Sequence, residues 1–222
     1  MLVGRTDLMS RKLNRVAKVI ATGLAGAMPV GDAVIFVPLG HIAKGYLFEN
    51  TRYKNAYYLW NFTFPLFTPL STFTLNYSHR VRLRGDLPMR LLIDDENQAA
   101  MIQSILSRLQ NLASPESARR LTVQQFLNEF PLTADNSWRP NLVLENAIAK
   151  CLTGDVVAGR ELLGQLQEMS PENSLTHEVK SDALEVITHL ELGSSSFLKL
   201  IAKYEATNIA RHFPGLAFEP RD

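Results

Sequence analysis

The sequence predicts an α+β fold: an N-terminal helix, a four-stranded antiparallel meander with a covering helix, and then an all-α C-terminal region of helical hairpins. Three observations lead there. The chain changes character near residue 90, from stretches rich in β-branched and aromatic residues over 33–84 to an almost wholly helical pattern beyond about 94. The stretch TFTLNYSHRVRLR alternates apolar and polar residues with a period of two, as a strand with one buried and one wet face does. Further on, Gly154-Asp155 separates two helical patterns by too little chain to form anything but a hairpin.

Taken in order, Leu13, Val16, Ile20 and Leu24 fall on one face at spacings of three and four, which predicts an amphipathic helix stopped by Pro29 and Gly31. Arg11, Lys12 and Arg15 ahead of this run, and Ala25-Gly26-Ala27 after it, resemble a secretory signal, but Lys18 interrupts the apolar stretch. A helix of a cytoplasmic protein is therefore expected. Ala33–Val37 is a short apolar run suited to a central strand, and Pro38-Leu39-Gly40 turns the chain. His41–Glu49 returns as the second strand and Ala56–Phe64 is the third. Pro65 and Pro69 bracket a loop, because proline cannot donate to a ladder. In the fourth strand Phe73, Leu75, Tyr77, His79, Val81 and Leu83 take one face, while Asn76, Ser78, Arg80, Arg82 and Arg84 take the other. Short connections favour a meander. Asp94-Asp95-Glu96 opens the covering helix, whose stripe is Met101, Ile105, Leu109 and Leu112.

A small polar linker, Ala113–Ser117, divides a sheet domain over 1–112 from a helical region over 113–222 that is free to pack on it. Helices are predicted at Val123–Phe130, Asn141–Thr153, Val156–Met169, His177–Leu192 and Ser194–His212. Ser170-Pro171-Glu172-Asn173 ends the third of these, and Gly193 with three serines supplies a stop and a cap. The segment NLVLENAIAKCLTGDVVAGRELLGQLQEMSPEN resembles one tetratricopeptide-type hairpin, with Ala147 and Gly159 where two helices would meet closely. It departs from that pattern at the usual aromatic positions, and no second copy is visible.

Composition excludes more than it assigns. The 222 residues are 46% hydrophobic and 20% charged, enough for a core without staples. A formal charge of +1, from 23 basic and 22 acidic residues, provides no global field toward phosphate or anionic lipid. The lone cysteine, Cys151, allows no internal disulfide and suits a reducing compartment; it is expected to be buried and inert. Phosphate-cradling, dinucleotide, zinc-protease and serine-hydrolase motifs are missing from the sequence, and no membrane span is expected. No cofactor or metal site is predicted. His41 and His79 have a path to each other across neighbouring strands, with Asp94 or Glu49 as companions, but half-buried structural histidines are the plainer reading. Glu145 and Glu161 read as charges on wet helix faces.

The functional expectation is a non-enzymatic, cytoplasmic protein-interaction module, an adaptor or an inhibitor-like accessory. Its partner surface is placed on Arg80, Arg82, Arg84, Tyr57, Tyr58, Trp60 and Arg52, because arginine and aromatic residues dominate interface hot spots. The alternative puts single-stranded nucleic acid on the same basic, aromatic strip, with rings stacking on bases. In RYKNAYYLWNFTFPLF, Tyr58, Trp60, Phe62 and Phe64 share one face and Tyr57, Leu59, Asn61 and Thr63 the other, with Tyr53 and Tyr57 expected at the rim.

Overall fold

The computed structural model describes residues 7–53, 55–69, 75–81, 91–92, 96–112, 121–170 and 174–219. It is α+β, opening with helix α1 (Asp7–Thr22), on which Leu13, Val16, Ala17 and Ile20 are completely buried. An antiparallel meander follows in the order β1 (Ala27–Val30), β2 (Ala33–Phe36), β3 (Ile42–Asn50), β4 (Ala56–Pro65) and β5 (Tyr77–Arg80). A two-residue strand, β6 (Leu91–Leu92), joins β4 beside Ala56 and Tyr57.

The meander thus has five strands rather than four, and the extra one is β1. Helix α1 ends at Thr22, ahead of Pro29 and Gly31, which do not stop it but build a hairpin instead. Val30 faces Ala33 across a two-residue Gly31-Asp32 turn, with Gly31 at φ 59°. Pro29 is tolerated because β1 is the outer strand of the sheet. The predicted fourth strand survives as Tyr77–Arg80; Phe73, Arg82, Leu83 and Arg84 lie outside the described residues, as do Asp94, Asp95 and the linker 113–117.

The sheet is covered on both faces. On one face α1 and α2 (Gln98–Leu112) bury Val34, Tyr46, Phe48, Tyr57, Leu59 and Val81 under Leu13, Ile20, Ile105 and Leu109. Toward the other end of that face, Ile42 and Tyr77 join Phe67 in a second cluster with the helices α3 (Val123–Glu129), α4 (Pro140–Leu152), α5 (Val156–Glu168), α6 (Ser174–Glu191) and α7 (Ser194–His212). The Tyr77 ring stands 4.9 Å from Phe126 and 4.8 Å from Phe130. His79, between Tyr77 and Val81, is exposed because it falls between the two clusters on an outer strand. The opposite face carries Ile35, Ala43, Phe62 and Phe64, which pack on Phe213 and Ile209 at the end of α7. Asn208 of α7 fastens this contact, its Nδ2 donating to the carbonyls of Leu66 at 2.8 Å and Thr68 at 2.7 Å.

Helix α4 is central. Every residue from Leu142 to Ala149 is buried, Glu145 included, so this glutamate is not on a wet face. Gly159 of α5 lies against it where the hairpin reading placed a close approach: a methyl group there would stand 2.3 Å from Cys151 Sγ and 2.9 Å from the Ala147 carbonyl oxygen. Gly159→Ala is expected to destabilise by about 1–3 kcal/mol. Cys151→Ala should recover part of that loss in the double variant, since it removes the nearer contact; additive losses in urea unfolding would show that the two helices do not meet there. Cys151 itself is buried, and burial pushes its thiol up to about 11, so it stays protonated at neutral pH. Among the described residues no helix is long and apolar enough to cross a membrane.

Candidate functional site

The sheet face held by α7 is closed at the Phe64 end and half-open at the other. Register places Leu47, Trp60 and Arg80 side by side across β3, β4 and β5, with Glu49 opposite Tyr58 in the next row on the same face. The Arg80 guanidinium carbon lies 3.7 Å from the centre of the Tyr58 ring and 4.9 Å from that of Trp60, within the range of cation–π attraction. Trp60 Nε1 donates to Glu49 Oε2 at 2.7 Å, which fixes the indole. Glu49, Tyr58, Trp60 and Arg80 are all half-buried. The Nε of Arg80 is buried without a hydrogen-bond partner, and among the described residues no carboxylate forms an ion pair with this arginine.

Three of the sequence-predicted site residues, Arg80, Tyr58 and Trp60, are therefore brought together. Tyr57 is not with them. It points to the opposite face, fully buried under α1 and α2, and reaches no rim. Arg52 sits at the β3–β4 hairpin tip, exposed, stacked 5.0 Å over Tyr53 and donating to its hydroxyl at 2.9 Å. Arg82 and Arg84 lie outside the described residues. Glu49, considered in the sequence only as a companion for histidine, is the missed member. Its signal was its place opposite Tyr58 in the register.

The two histidines do not meet. His79 stands opposite Asn61, with 3.4 Å between Asn61 Nδ2 and His79 Nε2, whereas His41 precedes β3 at its other end. His41 Nδ1 donates to Glu205 Oε1 of α7 at 2.5 Å, and the side chains are only 13% and 5% exposed. His41, but not Glu205, lines a cavity of about 320 Å³ together with Thr122, Val123, Gln124, Leu152 and Thr153. The threonine hydroxyls are engaged, Thr122 in capping α3 and Thr153 on the carbonyls of Ala149 and Lys150. Among the described residues, no group of three or more His, Cys, Asp or Glu side chains is placed to hold a metal ion.

Fold and site define an α+β protein with a two-sided meander sheet, one face of which presents an arginine clasped by aromatic rings. No protein-family model, curated protein or solved structure matches the chain.

Proposed function

We propose that this chain is a protein-interaction module of a reducing, cytoplasmic setting, and that the face around Arg80 receives an acidic side chain of a partner protein. The observation that carries this reading is the Arg80 guanidinium held over the Tyr58 ring beside Trp60, with Glu49 committed to the indole. A half-buried cation fixed by two rings loses little freedom on binding, and its charge is left for an incoming carboxylate. Arginine and aromatic side chains in such a setting are the residue types of interface hot spots.

Nucleic acid fits the same face less well. Stacking on bases needs open ring faces, yet Arg80 covers that of Tyr58, and Glu49 places negative charge beside the rings.

Arg80→Glu is expected to weaken capture of the partner from the native host about 30-fold or more, as a hot-spot loss of about 2 kcal/mol implies. Arg80→Lys should retain part of the binding, because it keeps the charge and loses the planar stack. Equal capture by all three proteins would show that the surface lies elsewhere. Retention on RNA or DNA that falls steeply with salt, and is lost in Arg80→Glu, would transfer the site to nucleic acid.

A further inference from the structure

At the end of β3 remote from Glu49, His41 is held twice. Leu66 N donates to its backbone carbonyl at 2.9 Å, and its own ring Nδ1 donates to Glu205 Oε1 of α7. Leu66 is in turn tied to α7, its carbonyl accepting from Asn208 Nδ2 at 2.8 Å. Asn208 follows Glu205 by three residues, so one side of α7 fixes both the strand end and the imidazole. A carboxylate only 5% exposed thus orients a ring that belongs to the wall of the 320 Å³ cavity.

That volume falls at the lower end of the ~300–1,000 Å³ that small-molecule sites occupy. Val123 and Leu152 supply apolar wall, while Thr122 and Thr153 supply polar groups of opposite kind. Thr122 Oγ1 accepts from Gln125 N and keeps its proton for donation; Thr153 Oγ1 donates to the Ala149 and Lys150 carbonyls and keeps its lone pairs. Among the described lining residues only His41 can carry charge, and Glu205 offsets it, so a charged guest would stand uncompensated. A hydroxyl suits this wall, because it both donates and accepts and so matches the imidazole in either protonation state. His41 also interacts elsewhere in the fold, so an incoming hydroxyl exchanges partners rather than filling a vacancy, which keeps the affinity modest. A flat apolar ring carrying that hydroxyl covers Val123 and Leu152 at the same time.

We propose that this cavity is a binding site for a small, uncharged aromatic alcohol. Its ring lies against Val123 and Leu152, its hydroxyl meets His41, and Glu205 is the positioning residue behind that histidine. The site is separate from the Arg80 surface and does not depend on what binds there.

Titration of the ¹⁵N-labelled full chain with 4-ethylphenol tests this, with 4-ethyltoluene and 4-ethylbenzoate as comparators of similar shape. The phenol should bind with a Kd of about 1 mM or tighter and shift the amides of His41, Thr122–Gln124 and Leu152–Thr153. Replacing its hydroxyl by methyl or by carboxylate should weaken binding about tenfold or more. In His41→Phe/Glu205→Leu, which leaves no carboxylate buried alone, the phenol should fall to the level of the toluene while the toluene is unchanged. A merely structural pair would weaken both probes together, and that result overturns the assignment of His41. No binding of the phenol, equal binding of phenol and toluene, tighter binding of the benzoate, or shifts centred elsewhere each overturn the proposal. These comparisons use the wild-type protein, so they stand even if the double variant does not fold.

Discussion

The stability of the wild-type protein is expected to fall steadily as pH rises from about 4.5 to about 8 through Glu145, by roughly a tenfold loss in the folding equilibrium for each pH unit, and this component should vanish in Glu145→Gln. The cause is burial. Removal from water penalises the charged carboxylate and pushes it from 4.5 up to about 8, while Tyr77, Asn76 and the Arg139 charge pull the other way and recover only part. The sign follows directly. Between the two values the folded protein keeps its proton and the unfolded chain has released it, so each rise in pH favours unfolding; above about 8 both states are ionised and the slope disappears. Across the window the effect reaches about 5 kcal/mol, a large share of the stability of an ordinary domain. Asp182 adds in the same direction at lower pH, since burial and then Glu178 and Glu185 push it up to about 6. Urea midpoints of wild type and Glu145→Gln from about pH 5 to about pH 9 isolate the glutamate by difference. Parallel curves would mean that Glu145 is solvated.

How far this was legible in the sequence depends on the range over which each signal acts. Helix limits at α4, α5 and α7 agree with the predicted ones within a residue or so, because caps, Gly154-Asp155 and apolar spacing act locally. The face assignments in β4 held for Tyr58, Trp60, Phe62 and Phe64, since a period of two is set by the backbone alone. Tyr57 was misplaced because its exposure depends on how far α1 and α2 reach along the sheet, which no local pattern encodes. The same limit hid Glu145: a lone acid in a helix reads as solvent-facing until one notes that LVLENAIA is apolar nearly all round, as a helix packed on every side requires. The His41–Glu205 contact joins residues 164 apart in sequence, and alternation within one strand says nothing of it.

Gly45→Ala is expected to cost about 3 kcal/mol or more and to lower Tm by about 6–12 °C, a large response to one methyl group. Gly45 lies inside β3, opposite Ile35 of β2 and Phe62 of β4. A methyl group there would stand 2.2 Å from the Val34 carbonyl oxygen and 3.1 Å from two carbons of the Phe62 ring. The nearest obstacle is backbone, which has no rotamer to escape through. Strand β2 would have to move, taking its ladder with it, and Phe62 would have to leave a core in which it is 1% exposed. The glycine is thus kept for a close approach of neighbouring chain, not for an unusual dihedral angle. Gly164→Ala is the control. It lies in α5 with nothing within 4 Å of the added carbon, so alanine should be neutral or stabilise by about 0.5–1 kcal/mol. A displaced β3 would also shift Glu49 and Leu47 relative to Trp60 and Arg80, so any Gly45→Ala protein that folds should lose partner capture together with stability. Equal Tm values for Gly45→Ala and wild type would show that β2 and β3 are not packed this closely, and the row that holds Arg80 over Tyr58 would lose its footing.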